Sequence, residues 1–139
     1  MPIGAVVSDA NVLLSAVIGK AAQKIFSKYD LQVRASEFNA LEIMEYLPAM
    51  GNKCGVPSAL LVLRWRLLPL NINSQSEYAR HLDKALTDLK DRDPEDAHAL
   101  ALARALNMPL WSNDRHLSGC GVPCYTTAQL LRKLDTQQK

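Results

Sequence analysis

The sequence is poor in the residues that punctuate or staple a chain. Its 6 Gly and 7 Pro are scattered instead of pooled, so no flexible linker and no internal domain boundary is expected. Its 3 cysteines are an odd number without a scaffold spacing, which argues against a disulfide framework and suits unpaired thiols in a reducing cytoplasm. Neither sign of charge dominates: the net charge is +2, which permits a nucleic-acid partner without arguing for one. Long apolar runs are missing as well. The most apolar stretch, "ALLVLRWRLLPL", is interrupted by Arg64 and Arg66, and the opening "MPIGAVVSD" reaches an acid too soon for a signal peptide, so neither a membrane span nor an export segment is expected. There is no Gly-rich phosphate loop and no internal repeat. What is present is an ordinary globular composition, 48% hydrophobic and 22% charged over 139 residues. A chain of that length buries about 65–70% of its unfolded surface, and residues 1–139 are read as one domain with a polar tail from about residue 135.

Periodicity alternates along the chain. "IGAVVS" reads as a short buried strand, followed by helices over "ANVLLSAVIG", stopped by Gly19, and over "AAQKIFSKY". "LQVRA" is strand-like, and Ser36 is placed to cap a helix over "EFNALEIMEYL" that Pro48 should end, with "GNKCGVP" as a loop. Residues 58–68 are helical by pattern, "LPLNI" is extended, and "SEYARHLDKALTDLK" carries Tyr78, Leu82, Ala85 and Leu89 along one helical face. A helix from Pro94 to Leu106, strands at "MPLWS" and "VPCYT", and a last helix at "AQLLRKL" complete the series. Strands alternating with helices predict a three-layer α/β/α sandwich around a mainly parallel sheet.

In such a sheet ligands bind beyond the carboxyl ends of the strands, where Asp9 and Asp114 fall. Each also has a plain structural use: Asp9 as the cap of the helix that follows, Asp114 in the first turn of a short helix. Asp93 is well explained as part of a helix start, with Pro94 in the first helical position. Asp96 sits at helical spacing with Leu100 and Ala103 on an almost wholly apolar helix, where a carboxylate needs a partner because burying it bare costs several kcal/mol. Glu42 and Glu45 both lie off the face formed by Ala40, Ile43, Met44 and Leu47, and periodicity does not choose between them. Two acids at strand ends plus acids at helix starts or faces make an oxygen-only cluster suited to Mg²⁺ or Mn²⁺. Hydrolysis of a phosphodiester at neutral pH is the reaction that most needs one. The alternative metal set, His116, Cys120 and Cys124 with distant Cys54, lacks the tight Cys pairs of structural zinc sites.

The order "VVSDANVLLSA", "SEFNALEIMEYL", "DPEDAHALALARALNMPLWSND" resembles the PIN-domain family of metal-dependent ribonucleases, which includes VapC-type toxins, over residues 5 to about 131. The resemblance implies that Asp9, Glu42, Asp96 and Asp114 are both catalytic and the ligands of Mg²⁺ or Mn²⁺. It favours Glu42 over Glu45, because the family's second acid follows a Ser or Thr by about six residues, here Ser36. Asn11, Ser112 and Asp93 are then expected to orient the ligating carboxylates, with Ser112 standing where Thr is commoner. Lys20, Arg115, Arg64 and Arg66 are the candidate contacts to an RNA backbone. The implied function is a cytoplasmic endoribonuclease, the toxin of a type II toxin–antitoxin pair with a cognate antitoxin and a homodimeric assembly. The alternatives are a non-toxic RNA-processing nuclease and a degenerate scaffold that binds RNA or protein without cutting. Trp65 and the run Leu60–Leu63 fit ordinary core, or a dimer or antitoxin surface if exposed.

Overall fold

The computed structural model describes residues 2–90, 94–114, 117 and 119–138. Five parallel strands, β1 (Ala5–Ser8), β2 (Gln32–Ser36), β3 (Leu70–Asn73), β4 (Leu110–Trp111) and β5 (Cys124–Tyr125), form one sheet in the order β3-β2-β1-β4-β5. The helices are α1 (Ala10–Ile18), α2 (Ala21–Lys28), α3 (Glu37–Cys54), α4 (Ser58–Leu67), α5 (Ala79–Asp88), α6 (Ala97–Leu106) and α7 (Thr127–Gln137), with 3-10 turns at Gln75–Glu77 and Pro94–Asp96. The α/β/α reading therefore stands.

Strand register fixes the two layers. Val7 faces Arg34 on one side and Leu110 on the other, and this row is covered by α5 and α6 through Tyr78, Ala85, Leu89, Leu100 and Leu102. The opposite row, Val6, Val33 and Trp111, packs on α1, α2 and α7. Ala35 packs there with Leu13, Val17, Ile43, Leu47 and Leu61 from α1, α3 and α4. Helix α6 is apolar nearly all round because its Ala and Leu side chains from Ala97 to Ala103 are buried, His98 alone being half-buried.

Most helix ends follow local chemistry. Gly19 closes α1 with φ 97° and Asn107 closes α6 with φ 53°, left-handed positions that Gly and Asn tolerate. Helix α3 corrects the expected stop at Pro48: it continues to Cys54, and Gly55 ends it. The proline removes an N–H that would have reached the Met44 carbonyl. Both residues are exposed, so that carbonyl is free to take water, and the rest of the helix is held by Leu47 and Gly51 underneath. Residues 51–54, expected as loop, are the last turn of this helix. Helix α7 likewise runs through the polar residues 135–137, anchored where the Tyr29 hydroxyl donates to Asp135.

Candidate active site at the carboxyl edge of the sheet

The chain steps outward from β1 to β2 and β3, then crosses back so that β4 lies on the other side of β1. That reversal leaves a crevice at the strand ends, the usual ligand position in an open α/β sheet. Asp9 leaves β1 there and Ser112 leaves β4. The Ser112 hydroxyl donates to Asp9 Oδ2 at 2.5 Å and accepts from the Asp114 N–H at 3.0 Å. The other Asp9 oxygen accepts from Val12 N at 2.9 Å, which caps α1. Asp9 is 1% exposed, so it serves as a cap and is also joined to the Asp114 segment; one use does not exclude the other. The Asn113 side-chain oxygen accepts from Thr127 N at 2.8 Å and ties this segment to α7. Cys124 lies close by: burial first, then the charges of Asp9, Cys120 and Asp114, push its thiol up to about 11.

Glu42 arrives from the helix after β2. Ser36 caps α3 through Asn39 N at 3.1 Å and donates its own proton to Asn39 Oδ1 at 2.9 Å; the Asn39 amide in turn donates to Glu42 Oε1 at 2.7 Å. Glu42 and Asp96 line one cleft of about 190 Å³ together with Asn11, Asn39 and Glu95. Asp96 closes the turn before α6, is 8% exposed, and stands at the N-cap position of that helix without a side-chain cap hydrogen bond. Glu45 is exposed and does not line the cleft.

The expected residues thus meet in two adjoining groups, Asp9 with Ser112 and Asp114, and Glu42 with Asp96 and Asn11; Asn11 directly follows the Asp9–Ala10 step. Among the described residues, no three His, Cys, Asp or Glu side chains stand close enough to hold a metal ion. Asp93, Arg115 and His116 lie outside the described residues. Cys54, Cys120 and Cys124 form no disulfide. Of the basic candidates, Lys20 and Arg66 are exposed, whereas Arg64 donates from Nη1 to the carbonyls of Val17 at 3.2 Å and Ile18 at 3.3 Å, at the carboxyl end of α1.

Three residues escaped the sequence reading. Asn39 was findable: Ser36, Asn39 and Glu42 recur every three residues and share a helical face. Glu95 was visible only as helix-start acidity. His98 was not legible, because its partners come from elsewhere in the chain: its ring stacks on Phe38 at 3.9 Å and its Nδ1 lies 2.6 Å from the Tyr78 hydroxyl.

Comparison with known proteins agrees with this fold. A family model described as PIN domain matches residues 6–135. No curated protein matches. Among solved structures, a toxin–antitoxin complex from Klebsiella pneumoniae is similar with TM-score 0.65 and 19% identity, covering 88% of this chain and 97% of the other. PAE2754 from Pyrobaculum aerophilum gives TM-score 0.68 at 15% identity, with 97% and 91% covered. VapC20 from Mycobacterium tuberculosis, a sarcin-ricin loop cleaving toxin, gives 0.58 at 18%, with 84% and 95% covered. Likenesses at such low identity speak to the fold, and the family match, which reaches from β1 into α7, speaks to descent: the chain belongs to the PIN domain family.

Proposed function

We propose that the protein is an endoribonuclease that hydrolyses RNA phosphodiester bonds with Mg²⁺ or Mn²⁺, and that it acts in the cytoplasm as the toxin of a toxin–antitoxin pair. The observation that carries the reading is the meeting of Glu42, from α3, and Asp96, from the turn before α6, in one cleft beside the β1–β4 crevice that holds Asp9, Ser112 and Asp114. Family membership and a similar fold in a toxin that cleaves the sarcin-ricin loop support it. The donor set is all oxygen, which fits a hard divalent cation, and Asp9, Glu42, Asp96 and Asp114 would hold it. Such an ion, when bound, lowers the pKa of an attacking water and neutralises charge on the scissile phosphate. The protein's own contribution is positioning. Ser112 fixes one Asp9 oxygen and the Asp114 backbone together, Asn39 fixes Glu42, and Asn11 lines the cleft between them. Asp93 is assigned to support these carboxylates, and Lys20, Arg66 and Arg115, with Arg64, to meet the RNA backbone.

A cognate antitoxin is proposed for the groove of about 490 Å³ between α1, α2 and α4, lined by Ala16, Gly19, Phe26, Arg64, Leu67 and Leu68. Leu60, Leu63 and Leu67 are 39%, 52% and 71% exposed at i, i+3 and i+7 of α4, an apolar stripe of the kind a partner covers. Leu41 and Met44 of α3 are also exposed and are assigned to a second copy of the chain. The deciding experiment is cleavage of mixed cellular RNA by the purified protein with Mg²⁺ or Mn²⁺ and with chelator. Cleavage is expected only with metal, and not from Asp9→Asn or Asp114→Asn. Undiminished cleavage in chelator, or by both variants, overturns the assignment.

A further inference from the structure

The cleft that holds Glu42 and Asp96 has two unlike ends. Helices α1 and α3 start directly after β1 and β2, and α6 ends just before β4, so in a parallel sheet all three begin at the carboxyl edge. Asn11, Asn39, Glu42, Glu95 and Asp96 line the cleft from those helix starts, whereas Leu14, Tyr46 and Met50 line it from further along α1 and α3. One end is therefore acidic and amide-bearing, the other apolar.

The apolar end contains an aromatic ring without an internal use. Of the 4 tyrosines, Tyr29 donates its hydroxyl to Asp135, Tyr78 is bonded to His98, and Tyr125 lies 5.4 Å beneath Lys133 Nζ. Tyr46 has no hydrogen bond or ring contact among the described residues and is 50% exposed. Helical geometry says which way it faces. At about 100° per residue it lies roughly 40° around the axis from Glu42, but about 140° from Leu41 and 160° from Met44. It shares the face of the cleft and not that of the apolar pair assigned to a second copy. Along the axis it stands about 6 Å beyond Glu42, flanked by the half-buried Leu14 and Met50.

An exposed ring among aliphatic side chains, one helical turn from a carboxylate, suits a flat group joined to a charged one. A nucleotide is built that way, and proteins that hold single strands stack its base on an aromatic side chain while they grip the backbone electrostatically. The cleft of about 190 Å³ is smaller than the roughly 300–1,000 Å³ of pockets that enclose whole drug-sized ligands. It leaves room for a single base and none for a duplex.

We propose that Tyr46 is the stacking platform for one unpaired base of the RNA, beside the phosphate cleaved at the acidic end. This rests on the reading of the acidic end as the cleavage site. Every base has a π-face, so the contact favours an unpaired nucleotide over a paired one and adds little base preference. The nucleotide must leave its own stack to reach the ring, as nucleotides in loops and at ends do. The Tyr46 hydroxyl is not needed.

The test is steady-state cleavage of a short single-stranded RNA by the full chain with Mn²⁺, once the cut has been mapped with the parent. Tyr46→Ala should raise KM and lower kcat/KM about tenfold or more, the size of a lost base–aromatic stack, while Tyr46→Phe should stay within about twofold of the parent. Tyr46→Leu, which keeps apolar bulk without a flat ring, should lose as Tyr46→Ala does, and carries the test if Tyr46→Ala does not fold. RNAs with an abasic nucleotide on one or the other side of the cut remove the partner of the stack. On one of them the parent and Tyr46→Ala should differ by less than about twofold, since two changes to a single contact are not additive. A reading independent of turnover is the fluorescence of 2-aminopurine placed at that nucleotide: on mixing with excess protein it should drop with the parent and Tyr46→Phe, but not with Tyr46→Ala. A parent that cleaves no RNA overturns the nuclease reading, and this inference with it. A parent that cleaves while Tyr46→Ala cleaves equally well, while Tyr46→Phe loses as much as Tyr46→Ala, or while the loss persists on both abasic RNAs, overturns this inference alone.

Discussion

Glu42 and Glu45 are separated by less than one helical turn yet face different surroundings. Glu42 is half-buried, held by Asn39 and set opposite Asp96; Glu45 is exposed to solvent. Glu42→Gln should therefore lower cleavage by about tenfold or more, as expected on altering a metal-shell group, whereas Glu45→Gln should leave it unchanged; initial rates on one RNA substrate decide, and the reverse ranking misplaces the second acid. Helical periodicity left this choice open because both residues lie off the same apolar face, and only the family resemblance, through the spacing from Ser36, favoured Glu42. His98 supports a second expectation. Burial holds its pKa below the usual 6.5, so the unfolded chain binds more protons than the folded one between the folded pKa and about 6.5. Stability should then rise with pH through that window and level off above it, and fall as acid charges the ring. Melting curves from pH 5 to 8 should show a smaller slope for His98→Phe than for the parent; an unchanged slope assigns the acid sensitivity elsewhere.

At the scale of elements, the legible parts were those governed by neighbours in sequence. Asp9, Ser36 and Gly19 mark helix ends through their own side chains or their own φ, and the Tyr78–Leu82–Ala85–Leu89 face follows from a 3.6-residue period. Where distant groups decide, the reading failed. Pro48 was expected to end α3, but Ile43 and Leu47 before it and Gly51 after it are buried, and that packing carries the helix through a residue that disfavours it. Gly51 shows how close the fit is: a Cβ there would stand 2.8 Å from the Val56 carbonyl oxygen. The proline is thus a local cost that tertiary packing overrides. Pro48→Ala should restore an N–H for the Met44 carbonyl and stabilise the protein by about 1–3 kcal/mol, up to the helix-interior penalty of proline. Denaturant melts measure it. A loss of stability would show that the proline is not a local cost.

The proposed site belongs to the whole molecule, because its candidate acids come from the ends of β1 and β4, from α3 and from the turn before α6. The sequence displayed all of them, while their grouping depended on the strand order β3-β2-β1-β4-β5, which alternation alone does not specify. This assembly also sets what Asp9 contributes to folding. One of its oxygens caps α1 and the other accepts from Ser112. Asn is as good a helix cap as Asp, so Asp9→Asn keeps the bond to Val12 and loses the charge and the acceptor offered to Ser112. Removing the charge also relieves repulsion from neighbouring carboxylates, a term on the order of 1–4 kcal/mol for charges about 4 Å apart at surface-like dielectric. The lost Ser112 bond offsets part of it, at about 1–3 kcal/mol for a hydrogen bond to a charged group. In chelator the two proteins should consequently melt within a few degrees of each other. A cation that binds only the folded state adds about 2.7 kcal/mol at a hundred times its Kd, so millimolar Mn²⁺ should raise the parent's Tm clearly and the variant's hardly at all. If Mn²⁺ moves neither protein, and Asp9→Asn melts well below the parent in chelator, Asp9 is a cap and a hydrogen-bond acceptor only, and the metal-dependent chemistry must be sought at other residues.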